Sequence, residues 1–266
     1  MPKIGFIGAG NMAGAIINGV IKGKAIAAGD IAVYDVSTER LAELTSQGIC
    51  AFKSATELVK NCKYVVVSVK PQVAESILEE IAATVTENTV IISIAAGITA
   101  GFIREKIGFK CRVVLAMPNT PLLIGCGAVA VARLEPITDE EFDFATSIFS
   151  QSGAVELIPA DRLNEVIPIN GSSPAFIYRF AQIICEHSAQ YGFDTETSNR
   201  LFCNALIGAA KMMLETGKTH DELIKAVCSP GGTTLKGLEA LEENGFEHAI
   251  TECMDACIKR AYELGK

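Results

Sequence analysis

The sequence is poor in charge and has no long apolar run. Only 20% of its 266 residues are charged, and no stretch approaches the roughly 20 consecutive apolar residues of a membrane span. The formal net charge of −8 argues against nucleic acid or an anionic membrane as the main partner. Because 49% of the residues are hydrophobic, we expect much buried surface, some of it between subunits. At this length the chain is expected to form about two domains.

The nine cysteines follow no disulfide or metal-binding pattern. Their number is odd, they are scattered, and no two are spaced as CxxC. The chain starts without a basic and apolar leader, so we expect reduced thiols, packed in apolar sites of a cytoplasmic protein. Cys253 and Cys257 would share a helix face, but His248 is poorly spaced to join them as a ligand. No metal site is predicted.

The first residues carry a glycine turn between a predicted strand and a predicted helix. The apolar run at 4–7 breaks at Gly8-Ala9-Gly10, and apolar residues resume with helical spacing from Met12. In the dinucleotide-binding fingerprint the first glycine makes the turn, and the second lets a pyrophosphate approach the backbone. A small third residue, here Ala13, lets the helix pack on the strand. The free N–H groups of the helix would bind the phosphates. The alternative is a glycine turn that binds nothing.

Strands and helices alternate up to about residue 160. Strands are predicted at 31–34, 64–68, 89–93, 112–116, 127–132 and 154–158, with helices at 38–47, 72–83, 99–106 and after a capping box at 138–141. Thr38 is expected to cap its helix, and Gly48 to end it. The strand at 64–68 is a continuous apolar run, as expected of a parallel strand covered on both faces. This pattern predicts a doubly wound, Rossmann-type parallel sheet in a dinucleotide-binding domain at 1–160.

Three predicted strands are followed by candidate ligand-binding residues. Asp35 ends the second strand, where an acidic residue accepts hydrogen bonds from ribose hydroxyls and repels a 2′-phosphate, which favours NADH. Ser37 and Arg40 lie close by and could accommodate NADPH, so both cofactors remain open. Lys70 follows the strand at 64–68, and Pro71 ends it. Small residues around Ala96 follow the strand at 89–93. Such positions lie at the edge where open α/β sheets bind ligands.

From residue 161 the pattern is helical. Helices are predicted at 174–191, 197–216, 220–227, 234–244 and 246–264, with Thr195 and Thr219 as good starts and Gly217 as a stop. The helix at 197–216 is apolar nearly all round, and such a helix needs cover on every side. We therefore predict an all-helical domain at 161–266 that associates with a copy of itself. The alternative is a central helix in a monomer.

A second glycine turn interrupts these helices at 227–234. Pro230 restricts the backbone at the entry to the turn, and Gly231 and Gly232 give it conformational freedom. Thr233 or Thr234 is expected to cap the next helix. Several N–H groups and hydroxyls converge there. Their combination predicts a site for a carboxylate or a phosphate. The alternative is an ordinary capped turn.

The whole chain resembles pyrroline-5-carboxylate reductase. The resemblance rests on IGFIGAGNMAGA at 4–15, SVKPQ at 68–72, SIAAG at 93–97, AMPNTP at 116–121, NGSSPAF at 170–176, AAKMMLETG at 209–217 and VCSPGGTTLKGLEALEENGF at 227–246. The last block is similar to the family's C-terminal signature. Some relatives have Gly at the position of Ser173, and others have Asn at that of Ala55.

The resemblance implies a reaction and residues for it. The family reduces the C=N bond of Δ1-pyrroline-5-carboxylate to give proline, with hydride from NADPH or NADH. The substrate carboxylate would be bound around Ser229, Gly231, Gly232 and Thr233, and Thr234 would meet the ring nitrogen as the catalytic hydroxyl. The implied cofactor-binding residues are Gly8, Ala9, Gly10, Asn11, Met12, Asp35, Val69, Lys70, Pro71, Ala96 and Asn119, the last near the nicotinamide. The resemblance also implies an interlocked homodimer whose active sites draw on two subunits, and in some relatives a ring of dimers, a decamer.

Two other functions fit parts of the pattern. A β-hydroxyacid dehydrogenase shares the architecture but carries a catalytic lysine on the helix after a glycine turn, and the stretch at 171–179 contains no lysine. A non-catalytic nucleotide sensor would need the first glycine turn but not residues 229–234.

Overall fold

One sheet of eight strands organises the N-terminal part of the computed structural model, which describes residues 3–264. The strands are β1 (Ile4–Ile7), β2 (Ile31–Tyr34), β3 (Cys50–Ala51), β4 (Tyr64–Val67), β5 (Val90–Ser93), β6 (Arg112–Pro118), β7 (Gly127–Leu134) and β8 (Gly153–Leu157). Their order across the sheet is β3-β2-β1-β4-β5-β6-β7-β8. The chain therefore winds outward from β1 in both directions, and the predicted doubly wound α/β fold is confirmed.

The last two strands run against the others. β1 to β6 are mutually parallel, whereas β7 pairs antiparallel with β6, and β8 pairs parallel with β7. A parallel pair needs a crossover of a dozen or more residues. The link from β6 to β7 holds only a short 3₁₀ turn, Thr120–Ile124, so β7 folds back beside β6.

Helices cover both faces of this sheet. They are α1 (Asn11–Lys22), α2 (Thr38–Thr45), α3 (Ala55–Asn61), α4 (Pro71–Ile81), α5 (Ala100–Ile107) and α6 (Asp139–Ser150). Alternate strand residues point to opposite faces, so Val66 belongs to the core beneath α1 and α6 while Val65 belongs to the core beneath α3, α4 and α5. β3 and α3 were not predicted, because a two-residue strand and a seven-residue helix are too short to show a period.

The C-terminal part consists of α7 (Ser173–Ser188), α8 (Thr195–Glu215), α9 (His220–Val227), α10 (Thr233–Glu243) and α11 (Phe246–Leu264). The chain divides into two compact units. One contains the residues up to Pro174 together with those from Ala256 onward, and the other is Ala175–Asp255.

Helix starts differ from the predicted caps at three places. Ser37 caps α2 in place of Thr38, and Asp194 caps α8 in place of Thr195. The third is α10, whose N-cap is Gly232 and which has no side-chain cap. The capping box predicted at Thr138 is present at the start of α6. The start predicted at Thr219 is also confirmed, and Thr219 forms a capping box at the start of α9.

Candidate active site

The turn after β1 has the two glycines that a bound pyrophosphate requires. Gly8 has a φ of +99°, and a Cβ on it would lie 2.7 Å from the backbone oxygen of Ser68. Only glycine fits this position without strain. Nothing lies within 4 Å of where a Cβ on Gly10 would be, so the second glycine faces open space through which a ligand can approach the backbone.

The N-terminus of α1 is free to bind an anion. Its N-cap, Gly10, provides no side-chain acceptor, and the first turn contains no acidic residue. The N–H groups of Asn11 and Met12 have no acceptor within the helix, since the first intrahelical bond runs from Gly14 to Gly10. Ala13 is buried, as its place in the fingerprint requires. These residues fit the phosphates of a dinucleotide.

Asp35 follows β2 and is bonded to the glycine turn itself. Its Oδ2 accepts a hydrogen bond from the Ala9 N–H at 2.6 Å, and its Oδ1 accepts one from the Ser37 N–H at 2.8 Å. Arg40 reaches the same turn, because its Nε donates to the Ala9 oxygen at 3.2 Å while its Nη1 pairs with Glu43 at 2.6 Å. A carboxylate and a guanidinium therefore both lie beside the turn, and they would have opposite effects on a 2′-phosphate.

The remaining predicted cofactor residues follow the next strands of the sheet. Val69 and Lys70 come after β4, and Pro71 is the first residue of α4. The Lys70 side chain is exposed and makes no hydrogen bond or ion pair with any residue of 3–264. Ala96 follows β5 and is half-buried. The carboxyl ends of β1, β2, β4 and β5 lie at one edge of the sheet, so these residues share the edge with the glycine turn.

Asn119 lies at the end of β6 and is buried, with its side-chain amide engaged on both sides. Its Oδ1 accepts from the Ala128 N–H at 2.9 Å, and its Nδ2 donates to the Asn170 oxygen at 3.3 Å. The side chain therefore holds the backbone after β6 rather than pointing free into solvent.

Two residues that hold this region together were not predicted as site residues. Ser68 Oγ donates to the Gly8 oxygen at 2.7 Å and lies 3.0 Å from the Ile7 oxygen, which fixes the turn. Asn170 bonds through its Nδ2 to the Met117 oxygen at 2.6 Å. Both residues stand in motifs of the sequence, SVKPQ and NGSSPAF, but their bonds join segments distant in the chain.

The second glycine turn belongs to the helical unit. Gly231 has a φ of +70°, and a Cβ on Gly232 would lie 2.3 Å from Ser229 Oγ. The Gly232 N–H donates to the Ser229 oxygen at 2.9 Å, so it closes the turn rather than facing a ligand. α10 has no acidic residue in its first turn and no side-chain cap.

The two threonine hydroxyls at this turn have no hydrogen-bond partner among residues 3–264. Thr233 and Thr234 form no side-chain hydrogen bond with any residue in the described part of the chain, and Ser229 Oγ forms none either. Thr234 also lines an apolar cavity of about 500 Å³, with Met212 of α8 and Val227 of α9 among its neighbours. N–H groups for an anion and a free hydroxyl thus stand side by side at the start of α10.

Within residues 3–264, no cluster of three or more His, Cys, Asp or Glu side chains has the arrangement of a metal site. Across the same residues, no helix has both the length and the apolar character needed to cross a bilayer.

Two family models match the chain. The model described as pyrroline-5-carboxylate reductase dimerisation matches residues 160–264, and the model described as NADP oxidoreductase coenzyme F420-dependent matches residues 3–97. The first match covers the C-terminal helices α7 to α11, and the second covers the first glycine turn and the strands from β1 to β5.

Individual proteins match along the full length. A pyrroline-5-carboxylate reductase from Escherichia coli strain K12 is 35% identical over 99% of this chain and 98% of its own. The structure of Plasmodium falciparum pyrroline carboxylate reductase with NADP bound has a TM-score of 0.91 at 26% identity, covering 100% of this chain and 98% of its own. That of a pyrroline-5-carboxylate reductase from Coxiella burnetii has a TM-score of 0.90 at 31% identity, covering 100% and 99%.

Proposed function

The chain belongs to the pyrroline-5-carboxylate reductase family, and on that premise we propose which of its residues carry out the family's reaction. It is an NAD(P)H-dependent oxidoreductase that reduces the C=N bond of Δ1-pyrroline-5-carboxylate to give L-proline. The cofactor supplies a hydride to the carbon of the C=N bond, and the ring nitrogen takes up a proton.

We propose that the cofactor phosphates bind at Gly8, Ala9, Gly10, Asn11 and Met12. The open space at Gly10 and the uncapped N-terminus of α1 support this assignment. Asp35 would meet the adenosine ribose, Val69, Lys70, Pro71 and Ala96 would line the cofactor along the sheet edge, and Asn119 would lie beside the nicotinamide. The position of each residue at the carboxyl end of a strand supports this part of the proposal.

The substrate carboxylate is assigned to the start of α10. The N–H groups of Thr233 and Thr234 have no intrahelical acceptor, and the positive end of the helix dipole favours a negative charge. Ser229, Gly231 and Gly232 shape the turn so that its backbone is open to a small ligand.

Thr234 is assigned the catalytic hydroxyl, as hydrogen-bond partner of the ring nitrogen and proton source. The observation that carries this assignment is that its hydroxyl has no partner in the described residues, although the helix start beside it lacks a side-chain cap. A threonine that served as a cap would be bonded there. An imine needs less acid catalysis than a ketone, because the protonated C=N bond is already electrophilic, so a hydroxyl is a sufficient donor.

Thr234→Val tests this assignment. The variant keeps the shape of the side chain and removes the hydroxyl, so kcat/KM for pyrroline-5-carboxylate should fall by the equivalent of roughly 2–4 kcal/mol. Thr234→Ser keeps the hydroxyl and should retain most of the activity. If Thr234→Val is active within a few-fold of wild type, the residue is not part of the chemistry.

The activity itself is followed by NAD(P)H absorbance with pyrroline-5-carboxylate and, in parallel, with 3-hydroxy acids. We expect turnover only with the imine, because α7 carries no lysine of the kind a β-hydroxyacid dehydrogenase uses. Absence of imine turnover with either cofactor would refute the assignment of the site.

The protein assembles with copies of itself. We propose a homodimer built from the helical domain at 161–266, with a ring of dimers, a decamer, as the larger assembly. The match of residues 160–264 to the dimerisation family supports the dimer, and a mass measurement in solution distinguishes the two.

We also propose that the enzyme is cytoplasmic. All nine cysteines are free thiols, as expected where disulfides do not persist. Fractionation of cells followed by an activity assay of each fraction tests the location.

A further inference from the structure

The segment before α7 leaves one backbone carbonyl without its helical donor. Residues Ile167–Gly171 form a π-helical turn that leads into α7. In an α-helix the Asn170 carbonyl would accept a hydrogen bond from the N–H four residues later. That residue is Pro174, which has no N–H. The Asn170 oxygen therefore remains available for a side chain. Single π-helical turns of this kind are frequent at functional sites.

Two side chains, those of Asn119 and Ser173, donate to this carbonyl. Asn119 Nδ2 lies 3.3 Å from the Asn170 oxygen, and Ser173 Oγ lies at the same distance. In return, Asn170 Nδ2 donates to the Met117 oxygen at 2.6 Å. The end of β6 and the π-helical turn thus hold each other through two reciprocal amide bonds, which we call the asparagine clasp (Met117, Asn119, Asn170).

The clasp is anchored on its other side by β7. Asn119 Oδ1 accepts from the Ala128 N–H at 2.9 Å, so the amide of Asn119 joins the π-helical turn to the neighbouring strand. Both asparagines are 8% exposed. The backbone that follows β6 is therefore fixed from both sides within one compact unit.

Asn170 has a feature that stability alone does not explain. Its Oδ1 is buried and has no hydrogen-bond partner. A buried acceptor without a partner is unfavourable, and it offsets much of what the bond to Met117 contributes. An apolar residue of similar shape would avoid this penalty. The amide at position 170 therefore serves the position of the Met117–Asn119 backbone more than the stability of the fold.

We propose that Asn170 is a positioning residue for hydride transfer, acting through the backbone at Met117–Asn119 where the nicotinamide is assigned. This inference rests on the proposed placement of the nicotinamide beside Asn119. Hydride transfer is sensitive to displacements of about 1 Å, whereas binding of the cofactor depends mainly on its phosphates at α1. Loss of the clasp should therefore lower kcat and leave the KM for NAD(P)H nearly unchanged.

The test compares Asn170→Leu, Asn119→Ala and wild type with NAD(P)H deuterated at the transferred position of C4. Asn170→Leu removes the amide without leaving a cavity, and Asn170→Ala serves as a second variant should the first fail to fold. In both Asn170→Leu and Asn119→Ala we expect kcat to fall about tenfold and the deuterium isotope effect on kcat to rise. The KM for NAD(P)H should stay within threefold of wild type. A purely structural loss would lower the amount of active enzyme and leave the isotope effect unchanged.

Asn61→Leu is the matched control. Asn61 Nδ2 donates to a backbone carbonyl, that of Glu57, at 2.8 Å, but it does so on α3, outside the clasp. This variant should match wild type in kcat and in the isotope effect. The double variant Asn119→Ala/Asn170→Leu should lose little more than Asn119→Ala alone, because residues that act as one unit are not additive.

The outcomes separate this inference from the assignment on which it rests. If Asn119→Ala raises the isotope effect and Asn170→Leu does not, the role of Asn170 is overturned and the placement of the nicotinamide stands. If Asn119→Ala itself leaves the isotope effect unchanged, the placement fails, and the inference fails with it.

Discussion

At the scale of single residues, the two glycines of the first turn have separate roles. Gly8 is constrained by the protein, because its positive φ and the Ser68 oxygen exclude a side chain. Gly10 is not constrained by the protein, since nothing lies within 4 Å of where a Cβ on it would be. We therefore expect Gly8 to be needed for folding and Gly10 for binding the ligand.

Alanine substitutions should separate these roles. Gly8→Ala should lower the free energy of unfolding by at least about 2 kcal/mol through backbone strain and the contact with Ser68. Gly10→Ala should change stability by no more than about 1 kcal/mol but raise the KM for NAD(P)H, because the methyl group takes the space assigned to the pyrophosphate. Thermal unfolding and initial rates measure the two effects. Equal losses of stability would contradict this division.

Asp35 is expected to set the choice of cofactor. Its carboxylate is held at the glycine turn by two N–H groups, with Arg40 bonded to the same turn. Asp35→Ser removes the charge that repels a 2′-phosphate and leaves Arg40 to attract it. The ratio of kcat/KM with NADPH to that with NADH should rise about tenfold, the equivalent of roughly 1.4 kcal/mol.

Asp35→Asn is the control for this prediction. It is neutral but keeps an oxygen that can accept one of the two N–H bonds. Its cofactor ratio should shift in the same direction as in Asp35→Ser, with less loss of activity. A ratio that does not change in either variant would mean that the carboxylate points away from the ribose.

At the scale of elements, the start of α6 is fixed by a buried carboxylate. Glu141 is 3% exposed, and its Oε1 pairs with Arg112 at 2.6 Å and with Lys63 at 2.9 Å. Its Oε2 accepts from the Thr138 N–H, which closes the capping box. Burial alone would raise the pKa of Glu141, but the bonds from Lys63 and Thr138 and the two positive charges outweigh it and hold the pKa below its usual value.

This pKa shift predicts a pH dependence of stability. A carboxyl whose pKa is lowered in the folded protein stabilises it above the unfolded pKa, and that stabilisation is lost as the pH falls through the folded pKa. Glu141→Gln should therefore lower the free energy of unfolding by about 2 kcal/mol at neutral pH. The difference from wild type should shrink below about pH 4.

Glu239→Gln is the matched control, because Glu239 pairs with Lys236 on the surface of α10. An exposed pair contributes little, so this variant should follow the wild-type profile in urea unfolding. A constant difference between Glu141→Gln and wild type down to pH 3 would contradict the assignment of the shift to Glu141.

At the scale of the whole molecule, the helical unit does not cover its own apolar surface. α8 has only Ser198 buried, and Leu201, Ile207 and Met213 are each about half exposed or more. The sequence predicted that this helix needs cover on every side, and within one chain it has little. Such a surface is typical of an interface between subunits.

Substitution on α8 should therefore change the assembly. Ile207→Glu places a charge in the apolar surface and should shift the protein toward monomer, as measured by light scattering during gel filtration. Lys60→Glu, at an exposed residue of α3 outside the helical unit, makes a charge change of the same kind and should leave the mass unchanged. A wild-type monomer at micromolar concentration would contradict the role given to this helix.

How far the sequence determined the structure depends on the length of each pattern. The strand at 31–34 and the helices at 220–227 and 246–264 were predicted to the residue, because their apolar periods and end signals agree. The reversed direction of β7 was not predictable from composition, since it follows from the short link after β6. The cap of α10 was predicted wrongly, because a threonine after two glycines is indistinguishable in sequence from a capping threonine.

For the candidate site, the residue types proposed to bind a dinucleotide and an anion could be recognised from the sequence alone. Gly8, Asp35 and Thr234 were all named from motifs. Which groups are already engaged and which are free depends on the tertiary structure. The Asp35 carboxylate is bonded to the turn, whereas the Thr234 hydroxyl has no partner in the described residues. The tertiary structure also brought together Asn119 and Asn170, 51 positions apart. Hydrogen bonds between distant segments depend on how the sheet and its connections pack, and no local pattern of residues encodes that packing.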